Sequence, residues 1–393
     1  MTKNEKIRNT LSYYLVFISL GLGLGIVGPA LPSLAEQTGS TLSAIGSLFL
    51  LSSFGGMFGT AISGRIYDRI PNGHRILGLA QLVGAMGLML TPLAGSLPIL
   101  LLISFLSGIA LGMINSGANI LLMWTHKKEA GPYVNGLHFS FGVGAFLAPT
   151  IFAQILRLGG TYQHTYWVLV GLGIPTALWM FLLSKSPKAP EEDEDETSSK
   201  GYLRKVFPMV VIAMLFLFFY VGAELTYGNW IYTYALEMDL ANATQAAYLT
   251  SGFWLSFTIG RAFSIYAAAR FKAEKVLSIA FIGGLSVLTL ALAMPNSINM
   301  LWATTIGIGF FMAPVWATGY NLAGQSIKLT ATISSIIILG DSFGGIVLPS
   351  LTGAAIEHLG AESMPWLVFG AFAINGFIFI LMFAQRKKGT TNE

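Results

Sequence analysis

The chain has 393 residues, of which 54% are hydrophobic and only 10% are charged, and its formal net charge is +4. A soluble domain carries about 25% charged residues, so most of this surface must face lipid rather than water. The sequence contains no cysteine, which excludes a disulfide framework, a thiolate metal centre and cysteine catalysis. We expect an all-α integral membrane protein without cofactor, metal or nucleic-acid partner, functioning as a monomer.

Apolar runs broken by glycine, proline and charge clusters predict twelve transmembrane helices, each long enough for a hydrocarbon core of ~30 Å. The first six fall at 9–35, 41–66, 75–93, 98–124, 131–157 and 163–184. The second six fall at 206–235, 244–268, 275–294, 298–324, 331–357 and 364–385. Between them lies a polar segment with an acidic run at 191–196, which predicts a solvated cytoplasmic linker, with an interaction or calcium-binding role as the less favoured alternative. The chain therefore divides into two six-helix bundles, 1–184 and 206–393, joined by the linker 185–205.

Basic residues indicate how the bundle is oriented, because they concentrate on the cytoplasmic side of membrane proteins. They cluster beside the N-terminus, in alternate loops and after the last helix, at Lys3, Lys6, Arg8, Arg65, Arg69, Arg75, Lys127, Lys128, Arg270, Lys272, Lys275, Arg386, Lys387 and Lys388. The opposite side offers Arg157 alone. This distribution predicts a multi-pass protein of a bacterial inner membrane with both termini cytoplasmic.

The two predicted bundles resemble each other in sequence. Gly117 and Asn119 recur as Gly319 and Asn321, 202 residues later. The tripeptide Ser-Phe-Gly at 140–142 recurs at 342–344 with the same offset. A parallel repeat of six spans is typical of transporters that rock two halves around a site at the middle of the membrane.

The loop between the second and third predicted helices carries a glycine, an acidic residue and basic residues at the spacing Gly64, Asp68, Arg69, Arg75. This segment resembles the corresponding loop of the major facilitator superfamily, with about two extra residues before Gly73. The resemblance covers essentially the whole chain and implies the major facilitator fold. It also implies that Asp68 and Arg69 contact a neighbouring helix end and favour one conformation of the transport cycle, which is electrostatically sound for a carboxylate at a helix N-terminus.

Three short segments are similar to the fucose, galactose and glucose symporters and the sodium-dependent glucose transporters of that superfamily. They are Asn115-Ser116-Gly117-Ala118-Asn119, Gly28-Pro29-Ala30-Leu31-Pro32 and Tyr220-Val221-Gly222-Ala223-Glu224. Acidic residues that serve proton coupling in the fucose-type pattern are replaced here by Gly28 and Asn115. If coupling occurs, it must therefore use other groups.

Ionisable side chains within predicted spans are costly and need a reason. Glu224 and Asp341 are candidates to bind and release a proton or to ligate sodium, and His138 is a candidate to relay protons or donate to a sugar hydroxyl. The alternative for each is a structural hydrogen bond, and an arginine partner such as Arg261 would favour that reading for Asp341.

Uncharged polar residues indicate the solute. Asn115 and Asn119 share one helix face, and so do Asn321 and Gln325, offering the donors and acceptors that a polyhydroxylated ligand needs. Aromatic side chains that could contact a sugar ring are Tyr227, Trp230, Trp254, Trp316 and Tyr320. Packing at helix contacts or membrane interfaces is the alternative for these rings.

The sequence thus predicts a secondary transporter that imports a hexose or similar small sugar, coupled to a proton or sodium gradient. A proton-driven exporter of drugs, sugars or lipid-like molecules on the same fold is the alternative. A membrane-embedded enzyme is disfavoured, since five histidines show no ligand spacing and no nucleophile and base converge. A sensor that has kept the fold but lost transport also remains open.

Overall fold

A computed structural model of the chain describes residues 1–69, 72–183, 186–187, 199–329 and 331–390. Within these ranges every regular element is a helix. They are α1 (Lys3–Gly25), α2 (Val27–Thr38), α3 (Leu42–Arg69), α4 (Gly73–Leu90), α5 (Leu97–His126), α6 (Ala130–Arg157), α7 (Tyr162–Leu182), α8 (Ser199–Glu237), α9 (Ala243–Arg270), α10 (Ala273–Ala293), α11 (Ile298–Met312), α12 (Val315–Ser326), α13 (Ala331–Leu359) and α14 (Ser363–Thr390). Short 3-10 turns, Thr91–Leu93 and Lys127–Glu129, flank α5.

Ten helical segments of the described chain are long and apolar enough to cross a membrane. The number rises to eleven if the bent pair α1 and α2 is counted as one span. Both counts rest on length and composition within the described ranges. The described part of the chain is therefore all-helical in its regular elements, and the protein is a multi-pass membrane protein, as its composition predicts.

Two predicted helices, 9–35 and 298–324, are each divided in the structure. The first breaks at Ile26, where α1 and α2 meet at 44°. Pro29 has no amide hydrogen to donate to the Gly25 carbonyl, so the hydrogen-bond ladder is interrupted there. The second breaks between α11 and α12, where Pro314 leaves the Phe310 carbonyl without its usual donor.

The helix after the linker begins earlier than predicted. α8 begins at Ser199 instead of 206 and runs for 39 residues. The acidic run 191–196 lies outside the described residues. Shortly before this run, the Ser186 hydroxyl accepts a hydrogen bond from the Gly73 amide at 3.1 Å. This bond attaches the chain after α7 to the start of α4. Below, α1 to α7 are called the first set of helices and α8 to α14 the second set.

Glycines let backbones touch along three helix pairs, each within one set of helices. α3 and α5 meet at Gly59, where a Cβ would lie 2.1 Å from the Ile109 carbonyl oxygen. α1 and α6 meet at Gly144, and α8 and α13 meet at Gly340, with equally short distances to backbone oxygens. These pairs pack as units because no side chain separates them.

Chain direction alternates from span to span, with α1 and α2 counted as one span and α11 and α12 as another, so the loops fall at two ends of the molecule. We call the end where α1 begins the basic end, since Arg65, Arg69, Arg75, Lys127, Arg270, Lys272 and Lys275 lie there. The opposite end is called the far end.

At the far end the two sets of helices are closed against each other. α2 packs on α8 where a Cβ on Gly28 would lie 2.6 Å from the Asn229 carbonyl oxygen. α3 packs on α13 where Gly46 faces Ser350. The Glu357 carboxylate also accepts a hydrogen bond from the Ser43 amide at 2.8 Å, so a side chain of α13 caps the start of α3.

Candidate functional site

A large cavity lies between the two sets of helices toward the basic end. Its volume is about 1000 Å³, and its walls come from α6, α8, α9, α10, α12 and α13. Several lining side chains are exposed, Asn135, Phe139 and Gln325 among them, so this cavity opens to the outside at the basic end. We call it the charged cavity, because it contains Glu224, Arg261, Lys272, Asp341 and His138.

The two predicted coupling carboxyls lie together in the charged cavity. Glu224 on α8 is 8% exposed, and Asp341 on α13 is partly buried. The Trp316 indole donates to the Asp341 Oδ1 atom at 3.1 Å. The two carboxyls also interact electrostatically with each other. Two carboxylates in one buried site repel each other, so binding of a proton or a cation at this site is favoured.

A tyrosine one turn before Glu224 lies beside its carboxyl group. The Tyr220 hydroxyl donates to the Met312 carbonyl at 3.0 Å. The same side chain also interacts electrostatically with the Glu224 carboxyl. Tyr220 therefore connects the coupling candidate on α8 to the end of α11.

Arg261 on α9 supplies a positive charge at the same place. Its guanidinium stacks over the Phe257 ring at 4.7 Å and acts electrostatically on both Glu224 and Asp341. One arginine beside two carboxyls leaves the cluster neutral when one carboxyl is protonated and negative when neither is. The net charge of the cluster therefore changes by one when a proton binds. Arg261 is also the partner that a structural role of Asp341 requires, so the arrangement fits both roles considered for that carboxyl.

Three further predicted residues line the charged cavity. His138 on α6 packs edge-on against Phe17, with ring centroids 5.8 Å apart. Asn321 and Gln325 on α12 are exposed to the cavity, one turn apart. Trp316 itself stacks on Tyr320 with centroids 5.5 Å apart, so its ring is held parallel to a second aromatic surface. The structure thus brings Glu224, Asp341, His138, Asn321, Gln325 and Trp316 into one cavity.

The other predicted substrate residues lie elsewhere. Asn115 and Asn119 lie on α5 outside both described cavities, and the Asn119 amide donates to the Asn115 carbonyl at 2.9 Å. Tyr227 is buried and shares a hydrogen bond with Thr305 at 2.8 Å. Trp230 is fully buried and donates to the Pro349 carbonyl at 2.8 Å. These two aromatic side chains pack helices together in this conformation.

Trp254 lines a second cavity of about 210 Å³, which lies among α1 to α9 and reaches α13. We call it the neutral cavity, because no charged side chain lines it among the described residues. Its polar lining consists of Ser19, Ser52, Ser53, Gln81, Thr91, Ser104, Ser107 and Asn229. Sequence reasoning missed Gln81, although an amide in the middle of an apolar segment such as α4 is a signal of the same kind as the asparagines chosen.

The superfamily-like loop lies at the basic end of α3 and the start of α4. Gly64 has open space around its Cβ position, and Arg69 and Arg75 are exposed. The Asp68 side chain lies outside the described part of the chain. Elsewhere, among the residues that the structure describes, no group of three acidic, histidine or cysteine side chains is arranged to hold a metal ion.

Comparison with known proteins bears on this architecture. The sequence profile of the Major Facilitator Superfamily matches residues 13–264. The sodium-dependent glucose transporter 1A of Mus musculus is 26% identical over 379 residues, which covers 88% of this chain and 89% of that protein. The sodium-dependent glucose transporter 1 of Xenopus laevis is 28% identical over 401 residues, covering 95% of this chain and 80% of that protein.

Solved structures agree on the fold. A mutant of the nucleoside transporter NupG superposes with a TM-score of 0.77 at 14% identity, covering 96% of this chain and all of that one. A bacterial homolog of the human lysosomal transporter Spinster, in an inward-facing and unoccupied conformation, superposes with a TM-score of 0.73 at 14% identity. It covers 98% of this chain and 97% of that one.

Proposed function

The chain belongs to the Major Facilitator Superfamily of membrane transporters, and from that premise we propose that it carries a hexose or similar small sugar, coupled to a proton or sodium gradient. Relatives named as sodium-dependent glucose transporters align over 86–95% of the chain, which supports a sugar as the solute. The shared superfamily is one of transporters rather than enzymes.

The proposed architecture is twelve spans in two six-helix bundles, 1–184 and 206–393. α9 supplies the twelfth span, since it has 28 residues and lies between two membrane-crossing segments. The basic end would face the cytoplasm of a bacterial inner membrane, because arginine and lysine concentrate there. The charged cavity would then open to the cytoplasm, which makes this conformation inward-facing.

The observation that carries the coupling proposal is the cluster of Glu224, Asp341 and Arg261 in one cavity. A proton or sodium ion entering from one side would neutralise the negative charge and allow the halves to rearrange. The relatives' names support sodium as the coupling ion, and carboxyl groups within a membrane protein also serve as proton relays. The cluster serves either ion through the same change of net charge.

Alternation between two conformations follows from the far-end closure. The contacts of α2 with α8 and of α3 with α13 would separate in the outward-facing state. In that state the loop containing Gly64, Asp68, Arg69 and Arg75 would approach the second bundle and stabilise closure of the basic end, as the family resemblance implies. His138 would lie beside the moving boundary, since α6 packs on α9.

Uptake into proteoliposomes tests this function. Purified chain is reconstituted, and labelled glucose, galactose and fucose are offered under an imposed proton gradient or, separately, a sodium gradient. We expect one sugar to accumulate above equilibrium with one ion. The double variant Glu224→Gln with Asp341→Asn should equilibrate the sugar without accumulating it.

Uphill accumulation by that double variant would refute the coupling role of the two carboxyls. Failure of every sugar to accumulate under either gradient would redirect the assignment to export. A resistance phenotype on expression, followed by gradient-driven efflux of the compound, would then identify the exported class.

A further inference from the structure

The neutral cavity lies directly beyond the charged cavity on the path toward the far end. On α6, His138 lines the charged cavity and Phe141 lines the neutral one. On α8, Glu224 lines the charged cavity and Asn229 lines the neutral one. On α13, Asp341 lines the charged cavity and Gly345 lines the neutral one. Because α6, α8 and α13 all run from the basic end to the far end, the neutral cavity is the deeper of two consecutive chambers.

Two aromatic side chains lie on the lining of the deeper chamber where α6 meets α9. Phe141 and Trp254 contact each other edge to face, with ring centroids 6.2 Å apart. At the far end the neutral cavity is closed by the contacts of Phe49 with Trp230 and of α2 with α8. The cavity is thus enclosed at the far end and bounded by aromatic rings toward the charged chamber.

The chemistry of the neutral cavity suits an uncharged polyol. Six serine and threonine side chains and two amides are set in a lining that is otherwise mainly apolar, and none of the described lining residues carries a charge. Its volume of about 210 Å³ is below the ~300–1000 Å³ of pockets for drug-sized ligands, so it suits a smaller molecule. Hydroxyl and amide groups set among aromatic rings can both hydrogen-bond a sugar and contact its apolar face.

Gln81 shows that one interaction in this cavity is incomplete. The side chain is 5% exposed, and its amide nitrogen donates to the Thr176 hydroxyl at 3.0 Å. Thr176 in turn donates to the Gly173 carbonyl at 2.7 Å, so the orientation of the Gln81 amide is determined. The Gln81 Oε1 atom is buried and has no hydrogen-bond partner among the described residues. Buried acceptors are normally satisfied, so this atom calls for a donor, and Gln81 is a lining residue of the neutral cavity.

We propose that the neutral cavity is the sugar-binding site, and that Gln81 accepts a hydrogen bond from a sugar hydroxyl there. The proposal rests on the proposed function of sugar transport and gives that function a location. It separates the sugar from the carboxyl cluster, which lies in the outer, charged chamber. Gln81 and Thr176 come from α4 and α7, whereas the predicted substrate residues are on α5, α8, α9 and α12.

Two matched amide variants test the location. Gln81→Leu removes an amide from the neutral cavity, and Asn135→Leu removes an amide from the charged cavity. Binding of labelled glucose, galactose or fucose to the purified chain is measured by equilibrium dialysis, and folding is checked by thermal unfolding. We expect Gln81→Leu to weaken binding by about tenfold or more, because the sugar hydroxyl loses its hydrogen-bond acceptor. Binding by Asn135→Leu should stay within about twofold of wild type.

The reverse pattern would overturn the proposal. Unchanged binding in Gln81→Leu would also overturn it and would leave water as the partner of the Gln81 oxygen. Neither result would refute sugar transport itself. Failure of all three sugars to bind the wild-type chain would instead refute the sugar assignment and, with it, this location.

A second measurement leaves Gln81 intact. The chain contains no cysteine, so a single introduced thiol reports without background. Ser53→Cys places a thiol in the neutral cavity and Ser264→Cys places one in the charged cavity. Saturating sugar should slow labelling of the first severalfold and leave the second unchanged. Protection of the Ser264 position alone would place the sugar in the charged cavity and refute the proposal.

Discussion

Gly28→Ala should shift the chain away from its far-end-closed conformation. A Cβ at Gly28 would lie 2.6 Å from the Asn229 carbonyl oxygen and 2.8 Å from its Cα. Ordinary contact begins at 3.4 Å, so α2 and α8 must separate by about 3.4 − 2.6 = 0.8 Å. Because backbone atoms cannot rotate aside as a side chain can, the whole helix contact has to yield.

The expected magnitude follows from overpacking. An extra carbon in a well-packed contact costs about 1–3 kcal/mol. The better helix propensity of alanine stabilises both conformations equally and cancels from their equilibrium. The closed-to-open ratio at the far end should therefore fall by about 5- to 150-fold.

Thiol labelling in the cysteine-free background measures this shift. A cysteine at Ser350, which faces Gly46 across the far-end contact, should react faster when Gly28 is replaced. A cysteine at Ser264 in the charged cavity should react more slowly. Gly23→Ala is the matched control, because its Cβ meets Leu88 at an ordinary 3.7 Å. Equal labelling of the Gly28 variant and wild type, or equal effects of the two alanine variants, would refute the reasoning.

Three further outcomes are expected. Glu357→Ala removes the cap on α3 and should open the far end more than Glu357→Gln, which keeps an acceptor oxygen. Equal rates of labelling at a Ser350 cysteine in the two variants would contradict this. Gly340→Ala should lower the midpoint of thermal unfolding, since its Cβ would lie 2.0 Å from a backbone oxygen, while Gly370→Ala, with open space, should not. Trp316→Phe keeps the ring but removes the donor to Asp341. It should reduce gradient-driven accumulation in proteoliposomes while leaving equilibrium sugar binding unchanged, and reduced binding would argue against separate chambers.

Much of the helical plan was predictable, because a membrane span needs a long apolar run and the runs are unmistakable. The two interruptions are not predicted, although Pro29 and Pro314 carry the signal, since proline can sit inside a membrane helix when neighbours satisfy the freed carbonyl. The sequence predicts a later start for α8 because Lys200, Arg204 and Lys205 look like part of a polar linker. Polar residues can nevertheless belong to the end of a helix, where they are outside the apolar part of the membrane.

Only part of the candidate site can be predicted from the sequence, because the neighbours of a side chain depend on how the helices pack. Charged residues in apolar spans stand out one by one, so Glu224, Asp341 and His138 could be chosen without knowing their neighbours. Tyr227 and Trp230 share α8 with Glu224 but point to other packing partners, which depends on how α8 sits against α11 and α13. Gln81 becomes a candidate only because one of its oxygens is buried without a partner, and that burial depends on how the helices pack.

α8 has a mechanical consequence. At about 1.5 Å per residue its 39 residues extend about 58 Å, well beyond a membrane of ~40–45 Å including headgroups. Any tilt of α8 is therefore magnified at its tip near Ser199, because that tip lies farthest from the middle of the membrane. On the other side of the polar segment, the Ser186 hydroxyl is hydrogen-bonded to the Gly73 amide at the start of α4. A small change in the angle of α8 thus becomes a large displacement of its tip relative to α4.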